Sequence, residues 1–176
     1  HVTCVKIQKS IYKNKQTKSF LEAAEEFVEI SDKICDGWTL KRDKTDLLKT
    51  HIRKDTFIEC QETETMCLYK VEYVIFYSLS YGVPSFSFNV WNSSGMLITL
   101  EDIRKMSFIE INQKDFYSVI TQQEHPIFQR PYFIVHPCLT ETLLAAFRNK
   151  SKNIIVTFLG LITPLIRLNL PLEYGL

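Results

Sequence analysis

Residues 67–81 read Cys67-Leu68-Tyr69-Lys70-Val71-Glu72-Tyr73-Val74-Ile75-Phe76-Tyr77-Ser78-Leu79-Ser80-Tyr81. Every odd position is apolar or aromatic, whereas Lys70, Glu72, Ser78 and Ser80 fall on even positions. Side chains on a strand alternate between faces, so this spacing predicts a long β-strand that buries one face. Gly82-Val83-Pro84 breaks it. Phe86, Phe88 and Val90 then alternate with Ser85, Ser87 and Asn89, and Asn92 to Gly95 turn the chain into Met96 to Ile98. Upstream, Trp38 to Arg42 and Leu48 to Ile58 read as strands on either side of a polar turn at Asp43 to Asp46. Sequential strands with short connections imply an antiparallel meander of about four main strands.

Helical signals flank the meander. Ser19-Phe20-Leu21-Glu22 has the form of a capping box, and Phe20, Leu21, Ala24, Phe27, Val28 and Ile34 recur near a 3.6-residue period. They predict an amphipathic helix from Ser19 to about Ile34, with Gly37 placed where a left-handed C-terminal cap would put a glycine. Thr99 with Asp102 predicts a short capped helix through Met106, while Phe108 to Asp115 leave their type open. Leu143 to Lys150 is a helical run. Ile154 to Ile166 carries no charge and is broken by Gly160 and Pro164, so it reads as a buried helix that stops near Pro164 and is too short to span a bilayer. The expected fold class is α+β, with an N-terminal helix, an antiparallel meander sheet, and C-terminal helices within residues 140–164 packing on its back.

The chain has 176 residues and a mass of 20.6 kDa, enough for a single core. Its 45% hydrophobic and 23% charged residues exclude a disordered tail or a membrane protein. Twenty-one basic against twenty acidic residues give a net charge of +1, which supplies no global attraction to nucleic acid or anionic lipid. Residues 1–18 differ locally: Lys6, Lys9, Lys13, Lys15 and Lys18 stand there without an acidic side chain, which reads as a basic, solvated and partly mobile lead-in, ahead of one domain over residues 19–176, more readily than as a surface for an acidic partner or a lipid headgroup. The aromatic stripe of the long strand lacks interleaved Arg and Lys, so it reads as core rather than as a platform for stacked bases.

The five glycines, at 37, 82, 95, 160 and 175, build neither a dinucleotide turn nor a Walker-type loop. Cys4, Cys35, Cys60, Cys67 and Cys138 form an odd set without a CxxC pair, which points to a reducing compartment and a cytoplasmic location. His1, His51, His125 and His136 are scattered, so no metal and no cofactor are expected. Asn92-Ser93-Ser94 and Asn149-Lys150-Ser151 match the glycosylation pattern, which has meaning only outside the cytosol.

Chemistry concentrates at Tyr132-Phe133-Ile134-Val135-His136-Pro137-Cys138, an apolar strand running into a thiol ahead of a helix. Pro137 forces His136 toward extended geometry, and a helix starting beyond the sulfur would offer unpaired N–H groups that favour thiolate over the free-thiol pKa of about 8.5. The arrangement suits a nucleophile, although a cysteine so placed is more often structural than catalytic. A His two residues from its Cys in extended chain cannot easily turn its ring onto the sulfur. His136 therefore reads as a support of the loop, which weighs against a Cys–His hydrolase.

FIVHPC (133–138), the preceding TQQEHPIFQRPYF (121–133), VEYVIFYSLSYGVP (71–84) and GLITPLIRLNLPLEYG (160–175), in order over most of residues 19–175, resemble the autophagy-related protein 10 family, the E2-like conjugating enzymes of autophagy. The resemblance implies a ubiquitin-conjugating-enzyme-like fold with Cys138 matching the active-site cysteine. In that family the cysteine receives the ubiquitin-like autophagy-related protein 12 from the E1-like autophagy-related protein 7. It then passes the modifier to a lysine of autophagy-related protein 5, in support of autophagosome formation. Ubiquitin enzymes carry an Asn after His-Pro, whereas here His136-Pro137 lead straight into Cys138, so oxyanion support must come from elsewhere. Tyr81 matches a family tyrosine and is the first candidate for oxyanion or active-site support, beside its plainer reading as an edge aromatic. Thr121 and Gln122 follow, with His125 as a supporting group and Glu124 as a base for the incoming lysine. Two other classes stay open at this point: a non-catalytic interaction module offering a strand edge near residues 48–81, and a cysteine hydrolase.

Overall fold

The alternating stretch forms the centre of the sheet. In a computed structural model, which describes residues 2–62, 65–106, 109–147 and 150–176, with side chains from Thr17 onward except at 62, 139 and 143, it becomes strand β3, Thr65–Ser78. It pairs on one side with β2 (His51–Glu62) and on the other with β4 (Val83–Trp91). β1 (Thr39–Lys41) extends the sheet beyond β2. A hairpin of β5 (Ile120–Glu124) and β6 (Pro131–Val135) completes the other side, giving the order β1-β2-β3-β4-β6-β5 with every pairing antiparallel. The α+β class with a meander therefore holds, with six strands instead of about four. β5 escaped the pattern because Ile-Thr-Gln-Gln-Glu has one apolar residue. As the edge strand it leaves Gln122, Gln123 and Glu124 exposed.

The odd positions Tyr69, Val71, Tyr73, Ile75 and Tyr77 are buried, as the alternation requires. The expectation of a single buried face fails, however: Glu72, Val74 and Phe76 are buried too. Ile127 and Phe128, from the β5–β6 loop, pack with Val74, Phe76, Tyr132 and Ile134 and cover the second face. The strand also ends earlier than its pattern. Leu79 and Tyr81 are exposed in a turn closed by the Gly82 N–H donating to the Ser78 carbonyl at 2.8 Å, with Gly82 at φ 67°. β2 begins at His51 rather than Leu48 because Leu47–Lys49 forms a 3₁₀ turn whose Leu48 N–H donates to the Asp46 side chain.

Helix α1 (Val2–Ile34) and helix α5 (Ile154–Ile162) lie against the other face of the sheet. α1 does not start at Ser19. Residues 2–18 contain neither Gly nor Pro, so nothing in them stops a helix from propagating toward the N-terminus. Its C-terminus is a Schellman turn: the Asp36 N–H donates to the Ser31 carbonyl at 3.0 Å and the Cys35 N–H to the Asp32 carbonyl at 3.3 Å. The left-handed residue of this cap is Cys35, at φ 56°, and not the expected Gly37, which has a positive φ of 85° two residues beyond it. Phe27 of α1 stacks on Tyr174 with ring centroids 4.4 Å apart and meets Trp38 edge-on at 5.8 Å. Asp36 then accepts from both Lys54 (2.6 Å) and the Tyr174 hydroxyl (2.8 Å), so the helix end, β2 and the C-terminal 3₁₀ turn Leu172–Gly175 share one carboxylate.

Helix α2 (Leu100–Lys105) is capped as expected, with the Asp102 N–H donating to Thr99 Oγ1 at 3.1 Å. A short α3 (Phe116–Val119) leads directly into β5. Helix α4 (Cys138–Phe147) starts five residues before the predicted run, and residues 148–149 lie outside the described residues, as does Asn149 of the second glycosylation pattern. The Asn92 side chain accepts from the Ser94 and Met96 N–H groups, both at 3.0 Å, and so builds the turn after β4. α5 stops near Pro164 as anticipated. Its N-cap Asn153 accepts from Ile155 and Val156 while donating to the Ala23 carbonyl of α1 at 2.8 Å.

The second face of the sheet holds two histidines. His125 is fully buried; its Nδ1 accepts the Ile127 N–H at 3.1 Å, so the ring carries its proton on Nε2, which lies 3.0 Å from Ser87 Oγ. Burial among Phe76, Phe128 and Tyr132, helped by His51 and Arg130, pushes its pKa down to about 3. His51 is likewise lowered, mainly by burial. The His125 ring stays neutral in the fold while the unfolded chain binds a proton there below about pH 6.5, so stability falls as pH drops from there toward the folded pKa, and the lowered His51 acts in the same direction. For His125 the expected loss between pH 7 and pH 5 is about 2 kcal/mol. Urea midpoints at the two pH values check this: in His125→Gln the gap between them shrinks by that amount, and an unchanged gap would show that His125 is protonated in the fold.

Candidate functional site

The junction of β6 and α4 is held by backbone groups. The His136 N–H donates to the Val119 carbonyl at the end of α3 at 2.8 Å, pinning the chain as it leaves the sheet. Proline lacks an N–H, but the Pro137 carbonyl accepts three donors: the Thr140 N–H at 3.1 Å, the Glu141 N–H at 2.9 Å and the Thr140 hydroxyl at 3.1 Å. These bonds start the helix immediately after Pro137, which makes Cys138 its first residue. Thr140 is buried beneath this turn, and Cys138 is exposed. The sulfur therefore sits at the positive end of a helix and open to solvent.

The ring of His136 is engaged with the chain that follows it. The Cys138 N–H donates to His136 Nδ1 at 3.2 Å, so in the neutral ring the proton resides on Nε2. Of the first-turn amides expected to be open, those of Cys138, Thr140 and Glu141 are thus already bonded within the junction. The β3–β4 turn brings Tyr81 over the same imidazole, edge to face, with centroids 5.8 Å apart and an interplanar angle of 75°. Three residues singled out in the sequence, Cys138, His136 and Tyr81, are in this way brought to one place.

The other candidates are not. β5 runs away from the junction: Ile120 is opposite Val135, Thr121 opposite Ile134, Gln122 opposite Phe133 and Glu124 opposite Pro131. At about 3.3 Å per residue, Glu124 stands roughly 13 Å along the strand from Ile120. His125 lies beyond it, sealed under the second face of the sheet, which corrects its reading as a support of the thiol. The sequence reading missed Thr140 and Val119. A Thr three residues after a Pro at a helix start was a usable signal for the first, whereas the Val119 carbonyl is anonymous backbone.

Among the described residues no group of three or more His, Cys, Asp and Glu side chains is placed to hold a metal ion, and no helix is long and apolar enough to cross a membrane.

The family model described as "Autophagocytosis associated protein, active-site domain" matches residues 1–173. The ubiquitin-like-conjugating enzyme ATG10 of Homo sapiens is 35% identical over 133 residues, which cover 66% of this chain and 59% of the relative. The protein of the same name from Arabidopsis thaliana is 29% identical over 114 residues, 58% of this chain and 51% of the relative. That from Dictyostelium discoideum is 27% identical over 120 residues, 58% and 52% respectively. The matched regions thus span between half and three-fifths of the length of these curated relatives. With nearly its whole length matched by one family model, the chain belongs to the family of autophagocytosis-associated proteins, as their active-site domain.

Proposed function

We propose that the chain is an E2-like conjugating enzyme of autophagy, working in the cytoplasm, with residues 19–176 as its catalytic unit and residues 1–18 as an extension. Cys138 accepts the ubiquitin-like autophagy-related protein 12 from the E1-like autophagy-related protein 7 and delivers it to a lysine of autophagy-related protein 5. The observation that carries this reading is the exposed thiol on the first residue of α4, held by a closed set of hydrogen bonds. In the loading step the Cys138 sulfur attacks the carbonyl carbon of the E1 thioester and the E1 sulfur leaves. Two thiols of similar basicity make this exchange nearly balanced. In the second step a neutral lysine amine attacks the new thioester, an amide bond forms and the Cys138 sulfur leaves.

His136 fixes the amide that starts α4 and so the position of the sulfur, and Tyr81 packs against His136. Two roles remain for Tyr81, and Tyr81→Phe separates them. If the hydroxyl stabilises the oxyanion, single-turnover discharge of the loaded enzyme onto its acceptor slows by roughly 10²–10³-fold. If the ring acts only by packing on His136, discharge stays near the wild-type rate while Tyr81→Ala is slow.

The test of the whole reading is to incubate the chain with the E1-like protein, ATP and the modifier and to run a gel without reductant. An adduct released by thiol, converted by Cys138→Ser into one released only by hydroxide, is the expected result. No adduct would leave a non-catalytic interaction module, and release of processed modifier without an adduct would indicate a hydrolase.

A further inference from the structure

The register of β2 and β3 sets Cys60 directly opposite Cys67. Residues directly opposite on antiparallel strands project from the same face, with Cα atoms roughly 4.5 to 5.5 Å apart. A disulfide requires Cα atoms about 4.4 to 6.8 Å apart, so the pairing falls within its window without any strand having to move. Both side chains belong to the helix-covered face of the sheet, where Cys60 is buried and Cys67 is partly exposed. Both also line one open groove, together with Asn92, Asp102, Lys105 and Met106. A small oxidant therefore has a route to one sulfur, and the second sulfur waits across the strand pair.

We infer that Cys60 and Cys67 form a reversible dithiol–disulfide site, separate from the Cys138 thiol, that is oxidised by a low-molecular-weight disulfide such as oxidised glutathione. The Cys67 thiolate, the accessible one, attacks a sulfur of the oxidant; a Cys67–glutathione bond forms and one glutathione thiolate leaves. The Cys60 thiolate then attacks the Cys67 sulfur, the Cys60–Cys67 bond forms and the second glutathione thiolate leaves. The two protons given up by the protein thiols end on the two glutathiones, so two protein thiols are oxidised and one disulfide is reduced. A crosslink here ties β2 to β3 near their connection. Because it uses neither Cys138 nor its neighbours, the inference stands or falls independently of the conjugating function.

The test uses the full chain and oxidised glutathione. Lys54 and Lys70 bracket both cysteines with no Lys or Arg between them, so trypsin leaves Cys60 and Cys67 in one peptide, residues 55–70. After oxidation, alkylation and digestion this peptide is expected to be two hydrogens lighter than its reduced form and unalkylated, and dithiothreitol should restore it. Cys60→Ser, which removes the resolving thiol, should instead hold a lasting glutathione on Cys67; Cys67→Ser should give neither product. In glutathione buffers of graded ratio the pair should titrate as a single two-electron couple. A wild-type peptide that keeps a glutathione on Cys67, or in which both cysteines remain open to alkylation, overturns the inference.

Discussion

Cys138→Ala is expected to remove transfer activity altogether, a loss on the order of 10⁶-fold as found when a covalent nucleophile is deleted from other enzymes. The size follows from the chemistry proposed for the site. Both steps pass through a bond to this sulfur, and no water or hydroxyl nearby can replace it, because an oxygen ester is a much poorer acyl donor toward an amine than a thioester. Cys138→Ser therefore traps the first step and loses the second. The substitution should leave the fold intact, since the side chain is exposed and the bonds that build the junction come from the backbone of Pro137, Cys138 and Glu141 and from His136 and Thr140. Circular dichroism and the urea midpoint should match the parent. Transfer retained by Cys138→Ala would end the proposal that this thiol carries the modifier.

Phe27→Ala carries the largest expected effect on stability. Phe27 is completely buried between Tyr174 and Trp38, and neither neighbour is free to collapse into the space its ring leaves. The Tyr174 hydroxyl is bonded to Asp36, the Trp38 backbone N–H donates to Ser31 Oγ at 3.0 Å, and the Lys54 ammonium lies 5.5 Å from the centre of the Trp38 ring. A pinned cavity keeps its full cost, so the loss should fall in the range of about 3–5 kcal/mol. For a chain of this size that lowers the thermal midpoint by roughly 10 °C, a large share of the 5–15 kcal/mol typical of whole domains. Thermal and urea denaturation measure it directly. A loss below about 1 kcal/mol would mean that the C-terminal turn bearing Tyr174 is not docked on α1 in solution.

Period and local chemistry made the centre of the molecule legible. The two-residue alternation of residues 67–77 gave β3 and its helix-covered face, Asn92 to Gly95 gave their turn, Thr99 gave its cap, and the apolar run from Ile154 gave α5 with its end near Pro164. The junction at Cys138 was readable in part for the same reason: a short apolar strand and a proline that fixes the preceding backbone are encoded within a few neighbouring residues, whereas the helix starts at Cys138 itself, five residues ahead of the run its pattern marks.

Where the sequence pattern failed, a distant segment had decided the outcome. Val74 and Phe76 look solvent-facing or neutral by alternation, and they are buried because Ile127 and Phe128, some fifty residues later in the chain, fold over them, while Glu72 is buried with the Tyr132 hydroxyl and the Arg53 and Arg130 guanidinium groups on its carboxylate. β5 has no hydrophobic signature because its stability comes from pairing with β6. His125 lies beside Glu124 in the sequence near the thiol strand, yet the hairpin carries both to the opposite end from Cys138.

The sequence by itself determined the class of the fold, the strand that organises it and the thiol at the strand–helix junction, because these depend on backbone preferences and side-chain periodicity over a few residues. Only the tertiary structure decided that Tyr81 meets His136 and that Cys60 faces Cys67. Each of these contacts depends on strand register or on the packing of separate segments, and neither leaves a periodic trace in the chain.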